Sequence, residues 1–151
     1  MKKPLLRIAI LFVGLGAGNA IAEQIVNGGF EQPVTATFIE LSAPDSSTIP
    51  GWTIMSGSVD VVNAVGNGYD VGPAYQGAQY LDLNGYDAGT IAQTFATTPG
   101  VTYLLSFAYA NNYDPATSLT ALVTVTNSSG TLLSTNVTHS TSVSGNLNWD
   151  V

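Results

Sequence analysis

Between Val101 and Tyr109 every second residue is apolar or aromatic: Val101, Tyr103, Leu105, Phe107 and Tyr109. Successive side chains of a β-strand point to opposite sides, so this period puts one residue set on one face of a strand. A helix would bury residues three and four apart, a spacing the stretch lacks. The same period occurs twice upstream. Leu81 and Leu83 alternate with Tyr80, Asp82 and Asn84, and Ile91, Gln93 and Phe95 alternate with Ala92, Thr94 and Ala96. Residues 85–89, Gly-rich at both ends, separate the first two runs, and Thr98-Pro99-Gly100-Val101 separates the last two. Pro presets φ at the first central turn position and Gly tolerates φ > 0 at the second, which suits a type II turn. The expected unit is a three-strand antiparallel meander over residues 79–112 with one apolar face. A lone sheet cannot bury that face, so a second sheet must cover it.

The rest of the chain carries the same signals. Residues 23–26 read as a short entry strand into Asn27-Gly28-Gly29-Phe30-Glu31, where two glycines permit a tight bend. A loop with Pro33, Pro44 and Pro50 follows, with a short edge strand over residues 37–41. Ile49-Pro50-Gly51 is a turn into a strand at Trp52, Gly57-Ser58 turns it, and residues 59–62 continue. Residues 63–76 read as a long surface loop. Ala121, Val123 and Val125 mark one face of a strand that Asn127-Ser128-Ser129-Gly130 returns as a hairpin over residues 131–138. Turn signals recur about every 8–12 residues, the spacing of a β-sandwich.

The first 22 residues follow a different logic. Lys2, Lys3 and Arg7 form a positive leading region, residues 8–18 an apolar run, and Ala20-Ile21-Ala22 a small-x-small cleavage site. That is the form of a bacterial secretory signal peptide cut after Ala22. The apolar run is short of the ~20 residues a membrane span needs. The chain of 151 residues has only 3 Lys and Arg, all in this leader, against 10 Asp and Glu. Cleavage takes the formal charge from −7 to −10 and leaves residues 23–151 with no basic side chain but His139. Such a surface has nothing to set against nucleic-acid phosphate, and an anionic membrane repels it. With no cysteine there is neither disulfide nor thiolate chemistry. His139 is the one candidate base near neutral pH, lies in no nucleophile motif, and reads as a solvent-facing strand end. No catalytic residue is assigned, and the chain is read as a non-enzyme. Carboxylate pairs such as could be drawn from Asp60, Asp82 and Asp87 occur in any acidic domain.

Five short motifs occur in order: Asn27-Gly28-Gly29-Phe30-Glu31, Ile49-Pro50-Gly51-Trp52, Gly57-Ser58-Val59-Asp60, Tyr80-Leu81-Asp82-Leu83-Asn84-Gly85, and Ile91-Ala92-Gln93-Thr94-Phe95 followed by Pro99-Gly100. In this order they resemble the secreted domains called domain of unknown function 642, and within them the bacterial choice-of-anchor surface proteins. The resemblance implies an all-β jelly-roll sandwich of the galactose-binding-like type over residues 23–151, lacking its last strands. It also implies a secreted or cell-surface location and binding to cell-wall or extracellular-matrix polysaccharide. Related jelly rolls hold a structural calcium on the acidic residue after the Asn-Gly-x-Phe motif, which here is Glu31. A high acid content and oxygen ligands suit that ion.

Tyr beside Asp or Asn in a polar loop suits a sugar, since the ring stacks on the apolar side of a pyranose while carboxylates and amides bond its hydroxyls. Tyr69, Asp70, Tyr75, Tyr86, Asp87, Asn112 and Tyr113 fit that description. Loop tyrosines half-packed on the sandwich are the plainer alternative. Trp52, among Ile49, Ile54 and Val59, reads as core rather than as a stacking platform; Trp149, between Asn148 and Asp150, is left open. Two other functions fit the same sequence: an adhesive surface module without a small ligand, and an accessory domain of a glycosidase. The oligomeric state is not legible.

Overall fold

The computed structural model describes residues 6–9, 25–65, 72–98, 100–112 and 118–151. Among them the fold is all-β, with antiparallel sheets and no helix. The strands are β1 (Leu6–Ala9), β2 (Phe38–Ser42), β3 (Thr53–Ser56), β4 (Ser58–Asn63), β5 (Gln79–Asp82), β6 (Thr90–Ala92), β7 (Ala108–Asn111), β8 (Leu119–Asn127) and β9 (Gly130–His139). A five-stranded sheet runs β2-β4-β5-β1-β7, β3 pairs with β6, and β8 with β9.

The core follows from strand alternation. Ile39 pairs with Val61 and Val61 with Leu81, so these residues share one face of the large sheet. Against that face pack Ile54 of β3 and the segment holding Ile25, Phe30, Ile49 and Trp52. Trp52 is therefore core, stacked beside Phe30 at 5.3 Å, with its indole N–H donated to the Asn27 carbonyl. The opposite face presents Val62 and Tyr80, which are paired, together with Ala110; Leu147 and Trp149 cover it.

Several turns form as expected. The Trp52 N–H reaches the Ile49 carbonyl at 3.0 Å around Gly51, whose φ is +83°. The edge strand appears as β2, and Asn127–Gly130 closes the β8–β9 hairpin. At residues 25–29 a turn replaces the expected entry strand, and its positive φ angles fall on Asn27 and Phe30, not on Gly28 or Gly29. Asn27 tolerates that region because its side chain bonds locally, here bridging to Gln32 with both its amide N–H and its carbonyl.

The meander does not form. β5 pairs with β4 and β1, β6 crosses to pair with β3, and β7 pairs with β1 rather than with β6. Residues 101–107 are irregular, with Tyr103, Leu105 and Phe107 half-buried; only Ala108–Asn111 is strand. Alternation sets which side chains share a face but carries no information about the partner strand. Pro99 lies outside the described residues.

His139 also departs from expectation. It ends β9, as read, yet is only 2% exposed. Its Nδ1 lies 2.5 Å from the Asn111 side-chain oxygen and its Nε2 2.8 Å from the Asn148 carbonyl. The segment after β9 folds back over the ring, which a strand-end reading of Thr138-His139-Ser140 could not foresee.

Candidate functional site: an exposed aromatic pair

Two segments build this site. The first, residues 72–78, leads into β5. Glu31 holds its end, accepting the Ala78 N–H at 2.9 Å and the Gln79 N–H at 3.1 Å on one carboxylate oxygen. Gly77 must be glycine there: its φ is +73°, and a Cβ would stand 2.1 Å from that oxygen. Gly72, at φ +100°, lets the loop pass against the backbone of Asn146 and Leu147.

The second segment, residues 143–150, is pinned at three points. Val143 and Asn146 exchange backbone bonds of 2.9 Å, His139 holds the Asn148 carbonyl, and Asp150 pairs with Tyr109 in an antiparallel bridge. The carboxylate of Asp150 lies 3.8 Å from His139 Nε2. Leu147 points into the core, so Trp149 follows it onto the same sheet face. Its indole N–H donates to the Pro73 carbonyl at 3.0 Å, joining the two segments.

The rings of Tyr75 and Trp149 meet edge-on, 6.4 Å apart at 68°, and buried Tyr80 supports Trp149 from below at 6.0 Å. Tyr75 is 41% exposed and Trp149 half-buried. Asn148 and Asp150, on either side of Trp149, are exposed. A rigid aromatic surface with amide and carboxylate groups at its margin can stack on the apolar face of a ring and bond its hydroxyls.

The other sequence-derived candidates are not gathered here. Tyr86 and Asp87 occupy the turn leaving β5, at the opposite end of that strand from Tyr75. Their N–H groups both donate to the Ser58 hydroxyl, at 2.7 and 3.1 Å, which displays the Tyr86 ring at 76% exposure. Asn112 follows β7, its carbonyl accepting the Asn111 side-chain amide. Tyr69, Asp70 and Tyr113 lie outside the described residues. Trp149 is the site residue that the sequence reading left unassigned; the signal for it was an aromatic side chain between Asn148 and Asp150.

Glu31 spends one oxygen on backbone amides, and no group of three or more His, Cys, Asp or Glu able to hold a metal is found among the described residues. The calcium-bearing role implied for Glu31 thus has, on the protein side, a hydrogen-bonding role beside it that needs no ion.

No curated protein matched the chain in comparison, and no solved structure did. A family model described as "Protein of unknown function (DUF642)" matches residues 23–150, beginning at the residue after Ala22. Spanning the strands from β2 to β9 and both segments of the aromatic site, that match shows that the chain belongs to the DUF642 family.

Proposed function

We propose that the protein is exported and acts as a non-catalytic carbohydrate-binding module, recognising cell-wall or extracellular-matrix polysaccharide at the Tyr75–Trp149 surface. The carrying observation is that aromatic pair, half open to solvent and held by two pinned segments. A platform fixed before binding loses little entropy when a sugar stacks on it. Export is supported by the leader pattern and by residues 23–151 lacking Lys and Arg, which suits a neutral polysaccharide better than a phosphate-bearing partner. The galactose-binding-like jelly roll and the choice-of-anchor kinship belong to the same proposal and rest on the ordered motifs.

Affinity electrophoresis against neutral and acidic polysaccharides tests it. Tyr75→Ala, which removes an exposed ring, is expected to weaken binding by about tenfold with the unfolding midpoint unchanged. Binding that survives both Tyr75→Ala and Trp149→Ala in folded protein refutes the site. Silence of the wild type across all polysaccharides favours the adhesive reading instead. That reading has its own support in the β8–β9 hairpin, where Leu122 and Leu132 are each 65% exposed.

A further inference from the structure

The turn that leaves β5 is fastened at several points. Asn84 and Ala88 form an antiparallel bridge around residues 85–87, and the Gly89 N–H reaches the Leu83 carbonyl at 2.6 Å. Buried Ser58, the first residue of β4, holds the tip. Its hydroxyl accepts the Tyr86 and Asp87 N–H groups, its carbonyl accepts the Gly85 N–H at 3.2 Å, and its own N–H donates to the Asp87 carbonyl at 3.2 Å. Two glycines permit this approach. A Cβ on Gly85 would stand 2.7 Å from the Ser58 hydroxyl, and one on Gly89 2.5 Å from the Ser58 carbonyl oxygen.

On this fixed backbone stands a side chain with little cover. Tyr86 is 76% exposed, more than any other aromatic residue among the described ones. The bonds that hold the turn come from the main chain and from Ser58, so the turn does not depend on the Tyr86 ring. A tyrosine offers a large, rigid, amphipathic surface with only two χ angles to order. Here the backbone beneath it is already ordered by folding, so a ligand that stacks on the ring loses little entropy.

Tyr75 and Tyr86 lie at opposite ends of the β4–β5 pair. Ser58, at the start of β4, holds the Tyr86 turn, while Ala64, just past its end, donates its N–H to the Ala78 carbonyl in the segment that carries Tyr75. The four residues of β5 between them span about 10 Å. One sugar ring therefore cannot touch both tyrosines.

We propose that Tyr86 is a second platform for polysaccharide, separate from Tyr75–Trp149, and that the protein bridges two polysaccharide chains, one at each end of β5. Each platform stacks on the apolar face of a pyranose. Two weak sites on one rigid body give an avidity for polymer that neither has for a short fragment. Bridging also joins the carbohydrate-binding and adhesive readings in a single device. The inference rests on the polysaccharide reading above, and the test separates the two.

The full chain, labelled with nitrogen-15, is titrated with cellotetraose, xylotetraose, galactotetraose and N-acetylchitotetraose while two sets of amide signals are followed. One set is residues 72–78 with 147–150; the other is residues 84–89. At least one sugar is expected to move both sets. Tyr86→Ala should abolish the shifts at residues 84–89 and change affinity at the first set by less than about twofold. Movement of the first set alone overturns the second platform and leaves the Tyr75–Trp149 site standing. Movement of residues 84–89 alone sinks the Tyr75–Trp149 site and keeps the second platform, and movement of neither sinks both. Bridging is read by agglutination of beads coated with the parent polysaccharide of the active fragment. Wild type should agglutinate them, whereas Tyr75→Ala and Tyr86→Ala should each bind the beads without doing so. Agglutination that survives either substitution, or a wild type that binds the beads and leaves them dispersed, overturns the bridge.

Discussion

Replacing Glu31 should loosen the aromatic site without touching either of its rings. One oxygen of Glu31 accepts the backbone N–H groups of Ala78 and Gln79, where the site loop enters β5. Glu31→Ala leaves two part-buried donors without that acceptor, a cost of about 2–4 kcal/mol. For a domain of this size that lowers the thermal midpoint by roughly 10 °C. Glu31→Gln keeps an acceptor oxygen and loses only the charge assistance, about 1 kcal/mol. Gly77 supplies an internal check. Gly77→Ala forces a Cβ to 2.1 Å from the same oxygen at φ +73°, so it should cost about 3 kcal/mol in the wild type. In the Glu31→Ala background only the backbone strain of about 1 kcal/mol remains, a coupling of about 2 kcal/mol. Urea unfolding of the four proteins, repeated with calcium and with a chelator, reads all of this. Destabilisation by Glu31→Ala below about 0.5 kcal/mol, or additive costs for the two substitutions, would refute the hydrogen-bond account. A midpoint that falls on chelation in the wild type, but not in Glu31→Gln, would assign Glu31 to calcium instead.

Two further outcomes are expected. Gly57, at φ +63°, carries the chain from the β3–β6 sheet to the large one, and a Cβ there would lie 2.0 Å from the Ala88 carbonyl oxygen. Since that neighbour is backbone, Gly57→Ala should cost about 3 kcal/mol; a urea midpoint like that of the wild type would contradict the crossing geometry. Asp45 is held at about 2, below the ordinary 3.8, by hydrogen bonds from the Thr48 side chain and from the Ser47 and Thr48 backbone. A lowered folded-state value means stability present above about pH 4 and lost as pH falls towards 2. Solvent screening keeps the amount under about 1 kcal/mol. Asp45→Asn should therefore flatten the wild type's loss of thermal midpoint across that window, and equal slopes would refute the assignment.

Much of this protein is legible along the chain. Period-two alternation marks β5 and β8, and proline or glycine marks the turns at Gly51 and Gly100, because side-chain direction and allowed φ are local properties. Trp52 could be assigned to the core from its apolar neighbours. The lack of Lys and Arg after Arg7 bounds the possible partners without any coordinates. Partner choice is not local. Nothing in residues 79–112 tells that β6 leaves for the other sheet or that β1 separates β5 from β7, since a strand's edges present the same amide and carbonyl groups to any neighbour. The same limit hid His139 and divided the loop tyrosines. Tyr75 and Tyr86 look alike in sequence, yet only Tyr75 is brought to a tryptophan seventy-odd positions away, by a hydrogen bond from Trp149 to Pro73 that exists only after the chain has folded back on itself.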